Sequence, residues 1–227
     1  MRWVAGRSGD AFVSDEVWRQ IVEVHNRAKQ LFILAEEMDS RFETFLQPVQ
    51  ELKHALEHIV RARARELGIT GDPDPGYVDE SLRKAFGHEY RAFFDVADWL
   101  GVALREKAAD QMSRYSPECI SRYFREWYET LRPRLETANT EIAKLRADKD
   151  VAKGSDVIPE VAKYHRQIAE LVEMMPMISS HVPQLEDGRR QERRERIWSV
   201  LWQVGLVVLG AGLTILGDWL YHRFGGG

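Results

Sequence analysis

The feature that most constrains this chain is an uncharged, apolar segment close to its C-terminal end. Residues 197–217 (IWSVLWQVGLVVLGAGLTILG) contain no Asp, Glu, Lys or Arg. As an α-helix this segment is about 31 Å long, which matches the hydrocarbon core of a bilayer at about 30 Å. A core helix of a soluble protein is the alternative, but such helices are seldom this long and apolar in a small domain. The segment therefore predicts a transmembrane helix.

The residues on either side of this segment are those expected at the two membrane surfaces. Aromatic rings favour the interface, and four of them lie near its ends: Trp198, Trp202, Trp219 and Tyr221. The preceding run RRQERRER holds five arginines, including the last three before the span: Arg193, Arg194 and Arg196. One arginine, Arg223, follows the span. By the positive-inside rule we expect residues 1–196 in the cytoplasm, on a single-pass, tail-anchored protein of the inner membrane.

The same arginines have two interpretations as a binding surface. Anionic membrane lipids attract a basic run next to a span, and this is the interpretation we favour. A site for RNA or for a protein partner is the alternative.

Small and polar side chains interrupt the apolar surface of the predicted span. At about 100° per residue they share one stripe: Ser199, Gln203, Gly210, Thr214 and Gly217. Gly205 and Gly212 lie roughly opposite this stripe. The stripe predicts either a water-lined pore built from several copies or close packing between helices. Gln203 favours association in both cases, because its amide lacks partners in lipid.

The remainder of the chain has the composition of one folded domain in a reducing compartment. Of its 227 residues, 44% are hydrophobic and 30% are charged, enough for one sizeable core. The formal charge is -4, with +3 on residues 189–196 and 0 on residues 197–227, which leaves -7 on residues 1–188. That balance argues against a broad nucleic-acid surface. A single cysteine, Cys119, excludes an internal disulfide, and the first ten residues hold no apolar run, so no secretory signal is expected.

Apolar residues recur at alternating spacings of four and three along most of residues 14–183. This pattern is typical of long helices in a bundle or coiled coil. Its most regular part is the first seam: Val17, Ile21, Val24, Ala28, Leu31, Ala35, Met38, Phe42 and Phe45. The prediction is an all-α, long-helix bundle or coiled-coil-like cytoplasmic domain. An N-terminal segment (1–13) precedes this domain. A basic juxtamembrane linker (184–196), the transmembrane helix (197–221) and a short tail (222–227) follow it.

Capping residues predict where these helices begin and end. Ser14 starts the first helix, and Gly68 closes the second and opens a loop at 68–78. Ser116 caps a fourth helix with Pro117 at its first position. Cys119 lies in the first turn of that helix, where the helix N-terminus favours a lowered thiol pKa.

Two other patterns concern prolines and the second helix. Pro48 should kink or end the first helix, and Pro176 and Pro183 should disturb the last. The fourth helix has one extra residue in its seam near Pro133. The core face of the second helix is predicted from its large apolar residues: Val49, Leu52, Leu56 and Ile59.

One match to a catalytic motif occurs on the second helix. His54, Glu57 and His58 match H-x-x-E-H, in which two histidines hold zinc and the glutamate acts as a base. Both histidines lie opposite the predicted core face, and no strands flank them as in the enzymes with this motif. A solvated surface is therefore the favoured interpretation, and we expect no enzyme activity, metal or cofactor.

Two helix faces carry cationic side chains. The six candidates for ligand contact are Lys84, His88, Arg91, Arg122, Arg125 and Arg132. If the two faces converge, they form a pocket for a phosphate-bearing small ligand. Two solvated faces with local ion pairs are the alternative, and charged helix exteriors are the default.

In organisation the chain resembles the small membrane effectors of bacterial anti-phage, abortive-infection systems. A C-terminal span, a helical cytosolic domain and the absence of catalytic motifs carry this resemblance over the whole layout. It implies control by a nucleotide or oligonucleotide second messenger that a partner signalling enzyme makes. The candidate contacts would then be the six ligand-binding residues named above.

Two functions follow from these patterns. In the first, the helical domain forms a homo-oligomer and senses a cytosolic signal, and the gathered spans form a channel or pore, since a lone span cannot enclose one. In the second, a non-conducting coiled-coil tether recruits a partner protein to the membrane.

Overall fold

The structure is a computed structural model that describes residues 11–38, 46–148 and 157–224. Its regular elements are α1 (Ala11–Met38), α2 (Leu46–Glu66), α3 (Pro75–Ser113), α4 (Pro117–Tyr123), a π-helical turn (Trp127–Leu131), α5 (Arg132–Asp148) and α6 (Ile158–Phe224). No strand occurs within the described ranges. The prediction of an all-α protein with one long apolar C-terminal helix is therefore confirmed.

The chain divides into two compact units. The first comprises Met1–Ala108 and Arg132–Pro176, and the second comprises Ala109–Leu131 and Met177–Gly227.

The core of the first unit is built on α3. Phe93, Leu100 and Leu104 are fully buried there, as the apolar spacing of α3 predicts. Phe94 packs edge-on against both Phe93 and Tyr164, with ring centroids 5.1 Å apart in each pair. Such edge-to-face pairs add stability beyond the area that they bury. These aromatic contacts join α3 to the first part of α6.

The first seam of α1 is buried in the same unit. Its residues from Val17 to Ala35 all have buried side chains, at spacings of four and three. The prediction of a helical seam is confirmed for this part, while Phe42 and Phe45 lie outside the described residues. Because the seam packs inside its own chain, it is not a surface for pairing with a second copy.

The predicted core face of α2 is wrong for Val49 and Leu56, whereas Leu52 and Ile59 are half-buried and Ile59 packs against the core. Val49 and Leu56 are 50% and 59% exposed, whereas Pro48, Ala55 and Ala62 are buried. The buried face of α2 thus carries small side chains, which allow neighbouring helices to approach closely. Ala62 packs into a cluster with residues of α1 and α3: Val17, Ile21, Leu82 and Ala85. The larger apolar residues of α2 remain mostly at the surface.

Two predicted helix ends are confirmed by their hydrogen bonds. At the end of α2, Gly68 has φ +71°, and the N–H groups of Gly68 and Ile69 donate to the carbonyls of Arg65 and Ala64 at 3.1 and 2.8 Å. This is a Schellman motif, which satisfies carbonyls left over at a helix end. At the start of α4, the Ser116 hydroxyl accepts from the Cys119 N–H at 3.0 Å.

Other predicted boundaries are corrected. Helix α1 begins before Ser14, and Pro48 lies in the first turn of α2, where its missing N–H breaks no helical hydrogen bond. Helix α3 begins at Pro75, inside the predicted loop, and the Asp74 side chain accepts from the Tyr77 N–H at 3.2 Å. Proline chemistry accounts for the place of Pro48, and side-chain capping by Asp74 accounts for the start of α3.

The predicted fourth helix is divided, and the last helix is not. Phe124 has φ -147° and ψ 57°, which ends α4. The π-helical turn at Trp127–Leu131 follows, and such a turn accommodates one inserted residue, as the extra residue in the seam requires. Helix α6 continues through Pro176 and Pro183. Buried Met174, Ile178 and Leu185 flank these prolines, and their packing offsets the lost backbone hydrogen bonds.

In the second unit, α4 lies against α6. The Phe124 ring stacks on the His181 ring with centroids 3.9 Å apart, and the Tyr115 hydroxyl donates to Glu186 at 3.0 Å. Gly188 lies at the closest approach: a Cβ there would lie 2.4 Å from Cε2 of Tyr123 and 2.9 Å from Sγ of Cys119. Glycine at this position therefore sets how near the two helices lie.

Replacing this glycine is expected to destabilise the second unit. Gly188→Ala should cost about 1–3 kcal/mol through overpacking, although alanine is favoured over glycine in a helix by about 1 kcal/mol. Urea unfolding of the full chain in detergent micelles measures the change. In a Tyr123→Ala background the same substitution should cost clearly less, because the ring is gone. A more stable Gly188→Ala protein would contradict the close approach.

Candidate functional site

The candidate site is the last part of α6, which is long and apolar enough to cross a membrane. Every residue from 193 to 215 is exposed in the single chain. A core helix of a soluble protein would be mostly buried, whereas none of the apolar window of α6 is. The buried-helix alternative therefore does not apply to this segment.

The exposed apolar surface of this segment is large. It comprises twelve bulky side chains: Ile197, Trp198, Val200, Leu201, Trp202, Val204, Leu206, Val207, Val208, Leu209, Leu213 and Ile215. Burying each one is worth roughly 1.5–3 kcal/mol. Their sum exceeds the total stability of about 5–15 kcal/mol typical of a folded domain. Water is thus an unfavourable environment for this segment, and hydrocarbon is a favourable one.

The predicted interface residues lie at both ends of this segment. Trp198, Trp202 and Trp219 are exposed on the helix surface. Tyr221 lies in the last turns of α6, beyond the described side chains. The cationic candidates occupy the turns directly before the apolar segment, and all three are exposed: Arg193, Arg194 and Arg196. Aromatic and basic residues thus flank the segment along one continuous helix.

The stripe of small and polar residues has its hydroxyls satisfied within the helix. Ser199 donates to the Arg196 carbonyl at 3.0 Å, and Thr214 donates to the Gly210 carbonyl at 2.9 Å. The Gln203 side chain is exposed. Gly217 lies in α6 where side chains are not described. Of the polar groups on this stripe, the Gln203 amide is thus the one with the strongest need for a partner from another helix.

Open space surrounds the glycines of the segment. A Cβ placed at Gly205, Gly210 or Gly212 would meet no atom within 4 Å. Since glycine is unfavourable in a helix interior by about 1 kcal/mol relative to alanine, three such positions are unexplained by packing within one chain.

Cys119 does not have the environment of a thiol with a lowered pKa. Its side chain is buried, and its thiol lies 3.5 Å from the Leu185 carbonyl. Burial, followed by the nearby Glu192 carboxylate, raises the pKa of the Cys119 thiol. The expected lowering of this pKa by the helix N-terminus is therefore wrong.

Three of the six predicted ligand-binding cations form ion pairs with acidic residues four positions away in the sequence. Lys84 pairs with Glu80 at 2.6 Å. Arg125 pairs with Glu129 at 2.7 Å, and Arg132 pairs with Glu136 at 3.0 Å. Arg122 is exposed on α4. Local pairs of this kind are typical of solvated helix faces. A phosphate-binding role for these residues stays a prediction.

His88 and Arg91 differ from the other candidates because they contact another helix. Both lie on α3, and both contact the Glu51 carboxylate on α2, at 2.7 and 2.8 Å. Sequence reasoning missed Glu51, although it lies on the same face of α2 as His54 and His58 by its spacing of three and seven residues.

The H-x-x-E-H residues are not arranged as in a zinc peptidase. Glu57 lies 4.0 Å from Lys53 and 3.7 Å from Arg61 on an exposed part of α2. His58 instead stacks on His88, with ring centroids 5.3 Å apart. Burial, followed by His88, lowers the pKa of His58. His54 is exposed, as expected for a solvated face, whereas His58 is half-buried because α3 packs beside it.

Comparison of the chain with protein-family models, with curated proteins and with solved structures found no match.

Proposed function

We propose that the protein is an oligomeric membrane effector, anchored by the end of α6, whose gathered spans form a channel or pore. The observation that carries this proposal is the apolar end of α6, which is exposed along its whole length and begins directly after a basic run. In this proposal, the helical domain is cytoplasmic and senses a soluble signal, for which a nucleotide-like second messenger from a partner enzyme is the candidate.

Association of several copies is supported by the span itself. One helix cannot enclose a conducting path, so a pore requires several chains. The open space at Gly205, Gly210 and Gly212 allows a second helix to approach closely. The amide of Gln203 gains hydrogen-bond partners only when another polar group is near.

A tether that recruits a partner to the membrane is the second candidate. It is favoured by the hydroxyls of Ser199 and Thr214, which bond to their own helix and need no water. In this function the span only anchors the chain, and the cytosolic helices carry the binding surface.

Reconstitution separates the two functions. The full chain in vesicles filled with a self-quenched dye should release the dye if it forms a pore, and mass measurement in nanodiscs should give four or more copies. Gln203→Leu and Thr214→Leu should reduce release at least tenfold, while Val208→Leu, on the same helix, should not. Intact vesicles with a monomeric or dimeric protein would contradict the pore and favour the tether.

A further inference from the structure

A cluster of metal-ligating side chains lies between α2 and α3. Glu51, His54 and His88 each offer one ligand atom, and these atoms all lie within 4.8 Å of one another. Glu51 and His54 are one turn apart on α2, and His88 comes from α3, 34 residues after His54. The packing of the two helices, not a local motif, creates this cluster.

Two of the three side chains are partly withdrawn from water, whereas His54 is exposed. The side chains of His88 and Glu51 are 19% and 13% exposed, and Nδ1 of His88 lies 2.7 Å from Oε2 of Glu51. The ring of His54 lies edge-on to that of His88, with centroids 5.3 Å apart. Burial acts to raise the pKa of Glu51, but hydrogen bonds from His88 and Arg91 outweigh it and lower that pKa.

The polar contacts of this cluster compete with one another. Nδ1 of His88 lies 2.7 Å from a carboxylate oxygen of Glu51, and this oxygen can only accept a hydrogen bond, so the nitrogen would have to donate. The same nitrogen lies 2.6 Å from Nη2 of Arg91, which can only donate, so here the nitrogen would have to accept. A single ring nitrogen cannot donate and accept at once. A cation between Glu51 and His88 resolves this competition, because both groups then point lone pairs at it.

We propose that Glu51, His54 and His88 bind a divalent transition-metal ion of the zinc class, with water at the fourth position. Two imidazoles and one carboxylate form a donor set that such ions take, at about 2.0–2.2 Å from each ligand atom. That geometry places the ligand atoms roughly 3.3 Å from one another, so the ion would replace the 2.7 Å contact between Glu51 and His88 with bonds to both helices. The ion acts as a clip between the two helices.

Arg91 occupies the position of a cation in the metal-free state. Its Nε donates to the Glu51 carboxylate at 2.8 Å, and its side chain is 43% exposed. The guanidinium therefore neutralises Glu51 without the ion and is free to turn into solvent when an ion arrives. Removing this competing charge should tighten metal binding.

This ligand set is different from that of the H-x-x-E-H motif. In the motif, His54 and His58 are the ligands and Glu57 is the base. In the proposed site, Glu51 and His88 are ligands in place of His58, and Glu57 neither binds the ion nor acts as a base. The two ligand sets make opposite predictions for His58 and for His88.

Zinc titration of the full chain tests the site. The protein in detergent micelles is stripped with a chelator, and zinc is titrated in competition with a chromophoric indicator. One ion per chain should bind, and saturating zinc should raise the melting temperature by mass action. Glu51→Gln, His54→Ala and His88→Ala should each weaken binding at least tenfold and abolish the shift. Arg91→Ala should tighten binding several-fold.

Matched variants exclude the competing assignments. His58→Ala and Glu57→Gln should leave affinity within threefold, as should His25→Gln, a histidine elsewhere in the same unit. Circular dichroism with chelator present establishes that each variant is folded. Loss of binding in His58→Ala with retention in His88→Ala would overturn the proposal, as would weaker binding in Arg91→Ala or a wild-type protein that takes up no stoichiometric zinc.

Discussion

We expect the double substitution Val207→Arg with Val208→Arg, at the centre of the apolar segment, to release the protein from the membrane. Each arginine at the middle of a span costs about 2.5–3.5 kcal/mol of insertion free energy, while each Leu, Ile or Val contributes about 0.3–0.6 kcal/mol. Residues 197–217 contain eleven such apolar residues, two of which are replaced. The cost therefore exceeds the favourable contribution that remains.

Flotation of cell lysate on a density gradient after alkaline extraction measures this effect. The wild-type chain should float with lipid, and the double-arginine chain should remain in the load fraction. Val207→Leu with Val208→Leu is the matched control and should float. Aggregates do not float, so poor folding is not mistaken for insertion. A double-arginine chain that floats as the wild type does would show that this part of α6 is not embedded in lipid.

The same substitution at two leucines is expected to have very different effects on stability. Leu100 on α3 is fully buried, and Leu56 on α2 is 59% exposed. Leu100→Ala removes buried methyl groups and leaves a cavity, which costs about 2–5 kcal/mol. Leu56→Ala changes a surface position, where effects stay within about 0.5 kcal/mol.

Urea unfolding of both variants in detergent micelles, at low protein concentration, gives the two free energies. Because the chemical change is identical, the difference reports burial alone. Equal losses at the two positions would mean that Leu56 faces a core, as its apolar spacing predicts, and that the observed face of α2 is wrong.

Several features of the fold follow from the sequence because they are local. A helix end at Gly68 needs only a residue that accepts positive φ, and a helix start at Ser116 needs only a hydroxyl three residues before a free N–H. The apolar end of α6 is likewise a property of consecutive residues. Spacings of four and three identify the buried face of α1 because its side chains are large and regularly placed.

The candidate metal cluster was not predictable in this way. Glu51 and His88 are 37 residues apart, and no local pattern relates them. The one local signal, the H-x-x-E-H match, contains His54 but couples it to Glu57, which lies near Arg61, and to His58, which stacks on His88.

The sequence by itself determined that the chain is helical, where several helices end, and that one segment is suited to hydrocarbon, since each depends on neighbouring residues. Only the tertiary structure decided which side of α2 meets α3. Large apolar residues usually identify the buried face of a helix, because burying them stabilises the fold most. In α2, however, the close packing that Ala55 and Ala62 allow is favoured over the burial of Leu56. That choice brings Glu51 and His54 to His88, because helix packing selects a whole face and every side chain on it.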